Sequence, residues 1–131
     1  MYELKIEGHF SAAHNLRDYA GKCERLHGHN YRAELVLGSG ELNAAGMVMD
    51  FQDVKGRLEQ VLSRLDHVYL NEVEPFSEVN PTAEHIARHI AEEMAVRLPK
   101  GVSVRSVACW ESENCAAVFI PEAPHSPKGP T

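Results

Sequence analysis

Apolar and polar positions alternate from the first residues of the chain. Tyr2, Leu4, Ile6, Gly8 and Phe10 interleave with Glu3, Lys5, Glu7 and His9. A two-residue period marks a half-buried strand, here running toward Ser11–His14. Residues 15–26 carry Asn, Asp, Gly and many charges and read as a loop. A second strand follows from Asn30 to Leu37, with Tyr31, Ala33, Leu35 and Leu37 on one side and Gly38-Ser39-Gly40 at its end. Residues 41–46 form a turn region, and Met47-Val48-Met49 a short extended piece leading to Asp50.

The period then becomes helical. Phe51, Val54, Leu58, Val61, Leu62 and Leu65 recur at helix spacing behind Asp50, a suitable N-cap. Leu65-Asp66-His67 closes or leaves this helix, and residues 68–80 read as loop. Asn80 is placed as cap of a second helix, with Pro81 in its first position. Ile86, Ala87, Ile90, Ala91, Met94 and Leu98 form its buried stripe, and Pro99-Lys100-Gly101 stops it. Val102 to Trp110 alternates as a third strand, Glu111–Asn114 turns, and Cys115–Ile120 returns as a fourth, making a hairpin.

The order strand, strand, helix, helix, strand, strand predicts an α+β fold. It is a four-stranded antiparallel sheet with both helices on one face. One domain over 1–120 is expected. The tail 121–131 holds four of the seven prolines and is expected to be disordered or loosely attached. A small sheet with two free edges invites oligomerisation.

Composition narrows the function. The chain has 131 residues, 44% hydrophobic and 24% charged, which fits one ordinary soluble domain with a real core. A net charge of -6 argues against a general nucleic-acid binder but not against a small anionic substrate. Lys22, Arg25 and Arg32 flank a histidine pair and can supply a local basic patch. No apolar run approaches a membrane span, and the alternating N-terminus is not a signal peptide, so the cytoplasm is the expected location. Three cysteines do not make a disulfide framework, and Cys109 and Cys115 read as packed thiols.

The chemistry centres on Cys23-Glu24-Arg25-Leu26-His27-Gly28-His29. On a strand, His27 and His29 point to one face, and His14, at the end of the first strand, is the third candidate metal ligand. Three imidazoles suit zinc, and three protein ligands leave an open, catalytic fourth position. Cys23 lies among charged residues that favour a thiolate, which makes it either a general base or a fourth ligand that closes the site. Asp66-His67 reads as a carboxylate-tuned histidine or a solvated helix end. Glu111 reads as a hairpin acid, or as a carboxylate holding a guanidine-like heterocycle edge by two N–H bonds. His85 and His89, four apart, fit a solvated helix face.

Several motifs occur in a fixed order. They are Phe10-Ser11-Ala12-Ala13-His14, Cys23-x-x-x-His27-Gly28-His29-Asn30-Tyr31, Gly46-Met47-Val48-Met49-Asp50-Phe51, Leu65-Asp66-His67-x-Tyr69-Leu70-Asn71, Asn80-Pro81-Thr82-Ala83-Glu84 and Trp110-Glu111. Together they resemble the 6-pyruvoyl-tetrahydropterin synthase superfamily over residues 2–120. The short cysteine-to-histidine spacing is similar to that of its bacterial 6-carboxytetrahydropterin synthase branch, which acts early in queuosine biosynthesis. The resemblance implies the tunnelling fold, in which protomers join their sheets into a barrel. It also implies a homo-oligomer, commonly a hexamer built from two trimers, with active sites between subunits. It implies zinc on His14, His27 and His29, Cys23 as the base, and Asp66 and His67 as relay partners. Glu111 would anchor the pterin, with Thr82 and Glu84 near the same pocket. The implied reaction turns 7,8-dihydroneopterin triphosphate into 6-carboxytetrahydropterin, acetaldehyde and triphosphate, with zinc as Lewis acid. Glu24 beside the cysteine raises the in-family alternative of a 6-hydroxymethyl-dihydropterin product for folate synthesis, and pyruvoyl-tetrahydropterin formation is another. Outside the enzymes, the competing readings are a non-catalytic zinc- or pterin-binding protein and a structural zinc module.

Overall fold

The structure, a computed structural model, describes residues 1–19 and 24–122. The first two strands are 13 residues each, β1 (Tyr2–His14) and β2 (His27–Ser39). They pair antiparallel along their whole length, from Tyr2 opposite Ser39 to His14 opposite His27. That register brings the first histidine against the second pair. The remaining strands, β3 (Ser103–Trp110) and β4 (Ala116–Phe119), complete a sheet in the order β1-β2-β3-β4. Helices α1 (Phe51–Ser63) and α2 (Ala83–Ala95) cover one face, α1 against β1 and α2 against β3 and β4. The expected ββααββ architecture is therefore the observed one.

The core follows from the two periodicities. Ile6, Phe10, Tyr31, Leu35, Leu37 and Val107 point inward from the sheet to meet Val54, Leu58, Ile86, Ile90 and Met94 from the helices. At Gly8 the approach is closest: an added Cβ would stand 2.6 Å from Leu62 Cδ1, so a larger residue there would force the Leu62 side chain to shift. Gly101, at φ +90°, takes the left-handed turn after α2 that a side chain would strain.

Several local expectations change. The cap of α2 is Thr82, whose hydroxyl accepts from His85 N; the side chain of Asn80 is instead committed to Arg17. Val48 and Met49 are buried, but their segment bends and pairs with no strand. Residues 68–80 include a 3-10 turn at Leu70–Glu72, and Tyr69 bridges to Ala13. Cys109 is a packed thiol as expected, its titration pushed up to about 12 by burial. Cys115 is exposed, because it precedes β4 on the turn. The expected disorder of the tail falls on residues 123–131, outside the described residues.

One core-edge histidine carries a pH prediction. His89 on α2 packs edge-on against Phe76, and burial pushes its imidazole below its ordinary value. The unfolded chain takes up a proton near pH 6.5 that the folded chain refuses until lower pH. Stability should therefore hold above about pH 6.5 and decline as pH falls toward the lowered folded value. His89→Leu should flatten the dependence of the urea midpoint on pH between about 7 and 5. An unchanged slope would assign the acid loss to other groups.

Candidate metal centre

His14, His27 and His29 point from the ends of β1 and β2 toward the face that the helices cover. Glu111 joins them from the residue after β3, in phase with inward-facing Val107 and Cys109. Its backbone N–H donates to Cys115 O at 3.1 Å, which holds it at the hairpin base. One ligand atom from each of the four lies within 4.8 Å of every other, and the group can hold a metal ion.

Hydrogen bonding sets the tautomers. His14 Nδ1 donates to Pro81 O at 2.8 Å, and His27 Nδ1 to Arg25 O at 2.8 Å. Carbonyls only accept, so both rings carry their proton on Nδ1 and turn a lone pair outward at Nε2. Those two Nε2 atoms face each other at 3.0 Å. Two lone pairs at that distance need a cation between them, either a proton or a metal. His29 Nε2 is 2.9 Å from Glu111 Oε1 but out of line for a ring N–H, so this buried nitrogen has no hydrogen-bonding partner among the described residues. Burial, more than any neighbour, pushes its imidazole below the ordinary value and favours the neutral, ligating form. A tetrahedral zinc with bonds near 2.0–2.1 Å spaces its ligand atoms roughly 3.3 Å apart. Three separations within this group, 2.9, 3.0 and 3.3 Å, lie close to that edge, and the others stay within 4.8 Å. The residues fit the ion.

The surroundings hold these rings in place. Tyr31 stands edge-on to His29 and His14, with centroids at 5.4 and 5.9 Å, and stacks on Phe10 at 4.7 Å, giving the centre an apolar floor. Asn71 and Asn80 each make a pair of bonds with one backbone residue: Asn71 with Asn15 at 3.0 and 2.8 Å, and Asn80 with Arg17 at 2.8 Å both ways. The loop leaving His14 is thereby fastened to the segment that supplies the Pro81 carbonyl. Glu24 Oε1 stands 3.4 Å from His27 Nδ1, beside the Arg25 carbonyl. Its carboxylate thus faces the back of a candidate ligand ring, where such partners tune basicity and orientation.

A cavity of about 420 Å³ opens next to the centre, rimmed by His14, Arg17, Asn80, Thr82, Glu84 and Glu111. Thr82 Oγ1 accepts the helix-cap bond at 3.1 Å, which leaves its O–H available to donate. Arg17 is the cation that sequence reading passed over. Its guanidinium donates to Phe76 O at 2.6 Å, a contact between distant loops with no local signature. Arg32 lies elsewhere: on the far face of the sheet it pairs with Glu7 at 2.9 Å and covers the Trp110 ring at 4.4 Å. It is no part of a basic patch beside the metal group, because an even-numbered β2 residue points away from His27 and His29.

Asp66 and His67 form their pair, with His67 Nδ1 2.9 Å from Asp66 Oδ2. Chiefly the Ser11 N–H, at 2.8 Å, and secondly His67 hold the Asp66 carboxyl below its usual range. The pair does not share the cavity of Thr82 and Glu84. His67 borders another depression of about 470 Å³ with Ser11, Ala13, Gly28, His29 and Asn30, and its side chain is 80% exposed. Its left-handed backbone, φ +57°, holds it there. Cys23 lies outside the described residues.

Comparison with known proteins decides the family. Residues 3–122 match the model of 6-pyruvoyl tetrahydropterin synthase. The chain belongs to the 6-pyruvoyl tetrahydropterin synthase family. It is 40% identical to the 6-carboxy-5,6,7,8-tetrahydropterin synthase of Synechocystis over 69% of this chain and 72% of that protein. It is 32% identical to the enzyme of the same name from Bacillus subtilis, over 95% and 82%. A dihydroneopterin monophosphate aldolase from Pyrococcus furiosus is 37% identical over 78% and 82%. The solved Caenorhabditis elegans 6-pyruvoyl tetrahydropterin synthase superposes with a TM-score of 0.80 at 27% identity, covering 92% of this chain and 96% of that one. Like its relatives, this family member is built for a small-molecule substrate. Among the described residues, no helix is long and apolar enough to cross a membrane.

Proposed function

We propose that this family member is a zinc-dependent 6-carboxy-5,6,7,8-tetrahydropterin synthase, a carbon–carbon lyase. It converts 7,8-dihydroneopterin triphosphate to 6-carboxytetrahydropterin, acetaldehyde and triphosphate, in the cytoplasm, on the route to queuosine and other 7-deazapurines. Residues 1–120 are its single catalytic domain. The observation that carries the reading is the convergence of three imidazoles and Glu111 in one cluster, two of whose members, His14 and Glu111, also line a cavity. The choice of product rests on the names of the relatives.

His14, His27 and His29 hold the zinc. When bound, zinc supplies a Lewis acid that lowers the cost of negative charge developing on substrate oxygen. Glu111 accepts two N–H bonds from the pterin edge and fixes the heterocycle. Thr82 donates its O–H at the cavity rim, and Glu84 sets the rim's charge. Cys23, as thiolate, removes the proton from the side-chain carbon next to the ring. Asp66 stays ionised and holds His67 in the tautomer whose Nε2 can exchange a proton. Because His67 is exposed and faces a different depression, it serves a site completed by a neighbouring protomer. This accords with a homo-oligomer, a hexamer of two trimers.

The test is product identification by mass after incubation with dihydroneopterin triphosphate. Acetaldehyde and carboxytetrahydropterin are expected. The aldolase relative and the Glu24 carboxylate beside His27 favour one second reading, cleavage to a hydroxymethyl pterin. Glu24→Gln in the same assay separates the two. The synthase reading expects an unchanged product. The other is supported where wild type yields hydroxymethyl pterin and the variant does not.

A further inference from the structure

We propose that Glu111 is the fourth metal ligand of the substrate-free protein, and that it leaves the metal to hold the pterin. Three observations support this. Glu111 Oε1 lies 2.9 Å from His29 Nε2 and 3.3 Å from His14 Nε2, among the ligand atoms rather than out in the cavity. The short contact to His29 is not a hydrogen bond, since the nitrogen remains without a partner. A carboxylate oxygen and an imidazole nitrogen that converge at 2.9 Å, out of line for an N–H···O bond, have the spacing of two co-ligands. Finally, the hairpin bond from Glu111 N to Cys115 O fixes the backbone, so only side-chain torsions separate this position from one aimed into the cavity that Glu111 also rims.

The coupling follows from valence. A carboxylate has two oxygens, and both are needed to accept two parallel N–H bonds from a guanidine-like pterin edge. An oxygen spent on the metal weakens that grip. Pterin binding therefore draws Glu111 away and opens the fourth position when substrate is present. Without substrate, four protein ligands close the centre in the manner of a structural site. The second half of the proposal rests on the pterin reading above; the first half does not.

The test begins without any pterin. Zinc affinity is measured by chelator competition for wild type, Glu111→Gln and Glu111→Ala, with circular dichroism of each metal-free protein as the folding control. Both variants should fold and should bind zinc at least about tenfold more weakly, matching or exceeding the effect of losing an outer-shell partner. Wild-type affinity in both folded variants would overturn the proposal. In a second arm, cobalt-substituted wild type is titrated with neopterin and its visible spectrum recorded. The spectrum should change on binding, while cobalt-loaded Glu111→Gln starts from a different spectrum. Neopterin that binds wild type with no spectral change would overturn the exchange. Failure of the product assay with an intact zinc effect would instead strike the pterin reading.

Discussion

His14→Ala is expected to abolish tight zinc binding and turnover together. His14 is the only one of the three imidazoles that is almost fully buried, at 2% exposure, and both of its nitrogens are committed. Nδ1 is bound to the Pro81 carbonyl and Nε2 faces His27 at 3.0 Å. Removing it deletes one ligand, and it also removes the contact that orders the neighbouring ring. The loss should exceed the roughly 10–100-fold that follows removal of an outer-shell partner. It also leaves the Pro81 carbonyl without its donor, at about 1–3 kcal/mol if water does not enter. The metal-free variant should therefore melt lower than metal-free wild type, and added zinc should raise its melting point little. Wild type should gain stability with zinc by mass action. His27→Ala provides the control: its ring is more exposed, so it should lose metal with a smaller change in the metal-free melt. Zinc retained at wild-type affinity in His14→Ala would refute the ligand assignment.

Much of this centre could be read from the chain because period-2 geometry is local. The His27-Gly28-His29 spacing and the alternation ending at His14 place three rings on one face before any packing is known. The fold was legible for a related reason: β1, β2, α1 and α2 each carry their full periodicity, and the Asp50 cap of α1 is local. What could not be read depends on contacts across 50 residues or more. The bond from Pro81 O to His14, the clamps from Asn71 and Asn80, and the position of Arg17 come from loops packing on loops. No periodicity announces them. The motifs Asn80-Pro81-Thr82 and Tyr69-Leu70-Asn71 were visible as signatures, but their work as clamps on the backbone that follows His14 was not. Asn80 looked like a helix cap because asparagine before proline so often is one. Here its side-chain amide pairs with the backbone of Arg17, and the hydroxyl of Thr82 takes the cap. Arg32 was misplaced for the simplest reason: sequence neighbours on a strand face opposite ways, and nearness to His29 and Tyr31 in the chain is separation across the sheet.

Cys23→Ala is expected to leave zinc in place while turnover falls by about 10²–10⁴, the usual worth of a positioned general base. The two roles open to this thiol make opposite predictions. As a fourth ligand, its loss would release zinc and loosen the ends of β1 and β2. As a base, its loss would leave the metal-bound fold intact and stop proton removal alone. The base role is the one that goes with Glu111 as fourth ligand, as proposed above. Glu111 brings a fourth possible ligand atom within 4.8 Å of the three imidazole nitrogens, and with Glu111 on the metal a thiolate ligand is not required. The measurement is zinc content, melting temperature and rate on one preparation of the variant. Full zinc, an unchanged melt and lost turnover support the base. Zinc lost with the melt would make Cys23 a ligand and the centre structural. A pH–rate profile gives a second readout. Wild type should lose activity as pH falls through the thiol's titration, because protonation removes the thiolate that accepts the substrate proton. The residual rate of Cys23→Ala should lack that limb. Cys23→Ser should also keep zinc but stay slow, since a hydroxyl is a far weaker base source than a thiol at neutral pH.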